Sequence, residues 1–123
     1  MANPNIVAVT SIYGSTSYLI PSTTSATTWT ALTPASGTVN KIDNIVASNV
    51  TSSAATVTVS INSATAGGGT AYRIAYQISV PPNASLIIAD KTTAFYVGES
   101  QSVVVTVGTG SAIELTASYE AIT

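Results

Sequence analysis

The chain has 123 residues, a formal net charge of −2 and eight charged side chains, with no histidine and no cysteine, against 37 serines and threonines. Histidine and cysteine supply most general bases, nucleophiles and transition-metal ligands, so the ordinary routes to catalysis are nearly closed and a non-enzymatic role without cofactor or metal is expected. Lys41, Arg73 and Lys91 are the only cations and lie far apart in sequence, too few to neutralise phosphates or an anionic membrane surface, which excludes nucleic-acid and lipid partners.

Period-2 alternation then organises the chain from end to end. Residues 1–9 read as an N-terminal arm or as a first strand: Asn3-Pro4-Asn5 has no local partner, while Ile6, Val7 and Val9 follow at once and need burial. Strands are expected at 6–13, 17–20 and 26–32, with 13–28 as an alternative extended arm. The next strand, 39–50, slips in phase, because Ile42 and Ile45 have opposite parity; a bulge near Asp43–Asn44 accounts for it. Residues 55–61 set Ala55, Val57, Val59 and Ile61 against Thr56, Thr58 and Ser60. Residues 71–80 set Tyr72, Ile74, Tyr76, Ile78 and Val80 against Arg73, Gln77 and Ser79, and stop at Pro81-Pro82. Further strands follow at 85–89, 102–107 and 112–120.

Turns are marked by Thr33-Pro34-Ala35-Ser36-Gly37, Ala66-Gly67-Gly68-Gly69, Pro81-Pro82-Asn83, Gly98-Glu99 and Gly108-Thr109-Gly110. No segment carries a helical apolar period. The expectation is an all-β chain with little or no helix: one antiparallel β-sandwich, jelly-roll or Ig-like, spanning residues 1–123. Shared parity assigns its core to Val57, Val59, Ile61, Ile74, Tyr76, Ile78, Val103, Val105, Ile113 and Leu115.

Candidate chemistry is sparse. Glu114 and Glu120 share a strand face, but six residues of strand put them roughly 20 Å apart, beyond the separation of a glycosidase pair. Asp43, Asp90 and Glu99 carry oxygen ligands for calcium, yet no loop concentrates them. Gly67–Gly69 lacks the lysine of a phosphate loop and reads as a flexible hairpin loop. Among the aromatics, Tyr72, Tyr76 and Tyr119 share faces with Ile and Val and are assigned to the core. Trp29 stands among threonines and divides evenly between core and contact surface. Asn49-Val50-Thr51 and Asn83-Ala84-Ser85 match the glycosylation pattern by chance, since the N-terminus has no basic segment of a secretory signal. No stretch approaches the roughly 20 apolar residues of a helical membrane span. A chain with 7% charged residues is poorly suited to a free monomer, whose surface is roughly 25–35% charged, and better suited to an assembly.

The order of segments carries a resemblance. Met-Ala-Asn-Pro-Asn-Ile-Val opens the chain, and Val39-Asn40-Lys41-Ile42-Asp43-Asn44-Ile45-Val46-Ala47-Ser48-Asn49-Val50 and Ala55-Thr56-Val57-Thr58-Val59-Ser60-Ile61 follow. Then come Tyr72-Arg73-Ile74-Ala75, Val80-Pro81-Pro82-Asn83-Ala84-Ser85-Leu86, Phe95-Tyr96-Val97-Gly98-Glu99-Ser100-Gln101 and Ile113-Glu114-Leu115-Thr116-Ala117-Ser118-Tyr119-Glu120. Together these resemble the small β-rich virion structural proteins of tailed bacteriophages, particularly those of cyanobacteria and marine bacteria. The resemblance implies a virion component made in a host cytoplasm, most simply a capsid decoration (cement) protein. Its partners would be the major capsid protein and copies of itself, with three-fold clustering favoured. A neck, tail or baseplate part is the alternative, and a carbohydrate-binding adhesin module a further one. The expected assembly contacts are Asn3, Ile6, Val7, Val9 and Trp29.

Overall fold

Alternating β-branched and hydroxyl side chains pleat into strands with one apolar face, and that face is stable only against a second sheet. The computed structural model describes residues 7–123. The expected contacts Asn3 and Ile6 lie outside the described residues. Among the described residues nine strands follow one another: β1 (Ile12–Leu19), β2 (Thr27–Thr28), β3 (Val39–Asn49), β4 (Ala55–Asn62), β5 (Ala71–Val80), β6 (Ser85–Ala89), β7 (Phe95–Val97), β8 (Ser102–Val107) and β9 (Ile113–Ile122). Three short 3-10 turns, Thr30–Leu32, Thr65–Gly67 and Lys91–Thr93, are the helical pieces among the described residues.

The strands form two antiparallel sheets, one ordered β1-β9-β3-β6 with β7 also on β3, the other β2-β8-β4-β5. Setting aside the three-residue β7, the chain pairs first with last, β1 with β9, then β2 with β8, β3 with β6 and β4 with β5. The β9–β3 and β8–β4 ladders join these pairs into layers. This is a long hairpin of strand pairs rolled into two sheets, the jelly-roll arrangement, and it decides between the two expected sandwich types.

The core lies between the sheets and is centred on Trp29, Leu32, Ile42, Ile45, Val57, Val59, Val97, Val103, Val105, Ile113 and Leu115. Burying each Leu, Ile or Val contributes about 1.5–3 kcal/mol. The expected phase slip in β3 is present as a register shift between Ile42 and Asn44, with Asp43 as the additional residue. That bulge lets Ile42 and Ile45 both reach the core despite their opposite parity.

Four expectations are corrected. Ile74, Tyr76 and Ile78 are exposed and Ile61 is half-buried, so β5 contributes to the core chiefly through Ala75 and Val80. The reason is position: β5 is the sheet's outer strand, and its ladder with β4 shifts register twice, between Val57 and Val59 and between Val59 and Ser60. Residues 13–28 are not a free arm, and among the described residues the expected first strand begins only at Ile12, pairing with β9 over eight residues. The loop at Gly67–Gly69 is not loose. Gly67 N–H donates to Ser102 Oγ, Asn62 Nδ2 donates to the Gly67 carbonyl, and a Cβ on Gly67 at φ +77° would sit 2.7 Å from Thr28 Oγ1. Finally, Trp29 is 1% exposed and belongs to the core. Its amide donates to the Val103 carbonyl and its Nε1 to Ser17 Oγ at 3.1 Å, which satisfies the polar edge of the ring inside the protein.

Candidate functional site

Contact surfaces, rather than a chemical centre, are what the fold presents, and β5 supplies one. Its two register shifts break the alternation, setting Tyr72 opposite Ile61 and Ile78 opposite Val57; these two, with Ile74 and Tyr76, are exposed along one ten-residue strand. Gln77 takes a left-handed backbone, φ 49°, and its amide leaves the ladder to donate to Thr58 Oγ1 at 2.9 Å. The Arg73 guanidinium lies 5.2 Å from the centre of the Tyr76 ring, a cation–π contact that folds the strand's one charge onto its aromatic surface. Clustered exposed tyrosine and isoleucine are what protein–protein contact surfaces are enriched in or built around.

A second feature lies on the other sheet. Lys41, Asp43, Asn44, Val46, Ile87, Asp90, Lys91 and Glu120 line an open pocket of about 480 Å³. Five of the chain's eight charged residues therefore share one pocket. The β3 bulge turns Asp43 out of the ladder, where its carboxylate meets Lys41 Nζ at 3.9 Å. Lys41 also stands directly opposite Glu120 on β9. Asp90 caps the Lys91–Thr93 turn, accepting from the Thr92 amide at 2.9 Å and the Thr92 hydroxyl at 2.6 Å. Those hydrogen bonds, the side-chain one foremost, hold its carboxyl below the ordinary value. The pocket is thus a mixed-sign surface with an apolar patch of Val46 and Ile87, suited to ion-paired contact. Among the described residues no three acidic side chains come together as a metal site.

The residues singled out in the sequence are scattered by the fold. Val7 is exposed and Val9 half-buried ahead of β1, while Ser11 and Thr123 exchange backbone hydrogen bonds where the two ends of the described chain meet. Glu99 is buried away from Asp43 and Asp90, with one carboxylate oxygen accepting from the Gly37 amide at 2.6 Å. Glu114 and Glu120 sit toward opposite ends of β9, opposite Ser48 and Lys41. Asn49 is buried with its amide nitrogen already donating to the Ser53 and Val80 carbonyls, so that glycosylation pattern is closed. Tyr13 and Tyr119 line a shallower cleft of about 310 Å³ with Pro34, Thr33, Thr38 and Asn40.

The charged pocket was missed in the sequence because its members come from three strands and a turn. The phase slip at Asp43 was the one local signal that pointed to it. Compared with known families, with curated proteins and with solved structures, the chain matches no family model, no curated protein and no solved structure.

Proposed function

We propose that this chain is a non-catalytic structural subunit that works by packing against other proteins, and specifically a capsid decoration protein of a tailed bacteriophage. The observation that carries the reading is the set of exposed apolar and tyrosine side chains on β5, in a chain with only eight charged residues. Such a surface is costly in water and gains about 25 cal/mol per Å² of apolar area when a partner covers it. Repeated over a shell, modest contacts of this kind sum through multivalency. The resemblance to virion structural proteins supplies the assembly. The jelly roll adds a fold-level analogy, since viral capsid domains use the same architecture.

Counting copies in purified particles tests the reading. Hundreds per virion support decoration of the shell; a dozen or fewer move the protein to the neck or tail; absence from the particle sinks the proposal. A second reading, glycan binding, is favoured by the Tyr13–Tyr119 cleft with its threonine and asparagine rim, and by the use of the jelly roll in lectin domains. Binding on a glycan array that is lost in Tyr13→Ala would select it.

A further inference from the structure

Setting aside the three-residue β7, which pairs only with β3, four strands end the two sheets among the described residues, and three of them are guarded against pairing with another chain. β2 is two residues long, β5 is broken by two register shifts and carries Arg73, and β6 is five residues long with a shift beside Val46. Short, bulged or charged edges are the usual defences against edge-to-edge association. β1 has none of them. It runs eight residues, Ile-Tyr-Gly-Ser-Thr-Ser-Tyr-Leu, in unbroken register with β9, without a charge or a proline. Its other side faces no strand among the described residues.

The side chains of this edge are also unfinished. Tyr13 is 67% exposed, Tyr18 78%, Ile12 54% and, just beyond the strand, Ile20 53%. Gly14 lies mid-strand with nothing within 4 Å of where a Cβ would stand. Glycine inside a strand gives up packing and backbone entropy, and it often marks close approach by another chain.

The geometry points to a two-fold pairing of β1 with β1 of a second copy, which would continue the five-stranded sheet across the dimer. Residues directly opposite in an antiparallel pair share a face, so keeping both inner faces on one side requires even to meet even and odd to meet odd. The register with Thr16 on the two-fold axis meets that condition. It sets Ile12 against Ile20 of the second copy, Tyr13 against Leu19, and Tyr18 over Gly14, filling the open space with a ring as aromatic side chains do over strand glycines. Thr16 then faces its own copy, a favourable cross-strand pair. The two tyrosines alone bring roughly 200–350 Å² per copy on the usual aromatic scale. That is roughly two-fifths to three-quarters of the roughly 450 Å² of apolar area in a standard interface, and Ile12 and Ile20 add to it. An isologous contact of this kind is two-fold, and it stands apart from the virion reading because it is measured on the purified chain.

Sedimentation of the wild-type chain across micromolar to millimolar concentration should show a monomer–dimer equilibrium, shifted at least tenfold toward monomer in Thr16→Lys. Mixing Thr16→Lys with Thr16→Glu should restore the dimer. Because the chain has no cysteine, Thr16→Cys should cross-link on mild oxidation: opposed Cα atoms about 4.5–5.5 Å apart lie within disulfide reach. The same substitution at Thr116, exposed in the middle of the sheet on β9, should not cross-link. A wild-type chain that stays monomeric at millimolar concentration, or Thr16→Cys cross-linking no faster than Thr116→Cys, overturns the proposal.

Discussion

Asn49 shows how much one side chain in this fold holds together. At the end of β3 it is buried, and its amide donates to the carbonyls of Ser53 and Val80 while its oxygen accepts from the amide and hydroxyl of Thr51. One side chain thereby ties the end of β3, the following turn and the end of β5. Asn49→Ala leaves several of these groups without a partner, and chemical denaturation should show a loss of about 2–3 kcal/mol. Asp90 acts at the surface. Because the hydrogen bonds from Thr92 and Thr93 favour its ionised form, its folded-state pKa lies below the ordinary 3.8. Its contribution is therefore complete above that value and fades as pH falls through the lower, folded-state one. The difference in melting temperature between wild type and Asp90→Asn should be constant at neutral pH and shrink only below about pH 4.

At the scale of the element, β5 and β9 carry equally clean alternation and meet opposite fates. β9 lies between β1 and β3, so Ile113, Leu115 and Ala117 are covered; β5 ends its sheet, so Tyr72, Ile74, Tyr76 and Ile78 are not. Periodicity tells which residues share a face, but no local signal tells whether a strand is central or terminal. The difference is measurable. Leu115→Ala should cost about 2–5 kcal/mol as a core deletion. Ile74→Ala, at a site 36% exposed, should cost below about 1 kcal/mol. Equal losses would place β5 in a covered layer in solution. β3 is the case where the local reading reached the tertiary feature, since the parity conflict between Ile42 and Ile45 has few remedies other than a bulge.

Across the whole molecule, charge is gathered on one face and the tyrosine-bearing strand edges are nearly free of it. Lys41 and Lys91, far apart in sequence, share a pocket with Asp43, Asp90 and Glu120, and Arg73 lies against Tyr76. Contacts made through β1 or β5 should therefore be insensitive to ionic strength. Washing assembled particles from low salt to about 1 M NaCl should release little protein. Release that rises steeply with salt would move the contact to the charged pocket.

The sequence by itself determined the all-β class, most of the strand positions from 39 onward, the bulge in β3 and the scarcity of catalytic chemistry. These follow from local parity, β-branched content and residue inventory. Tertiary structure alone decided the jelly-roll order, which strands end each sheet, the burial of Trp29 and the gathering of five charges around one pocket. Each of these depends on pairing between residues distant in the chain, as when β1 meets β9 across the full length of the domain. A period of two carries no record of which strand will lie beside which.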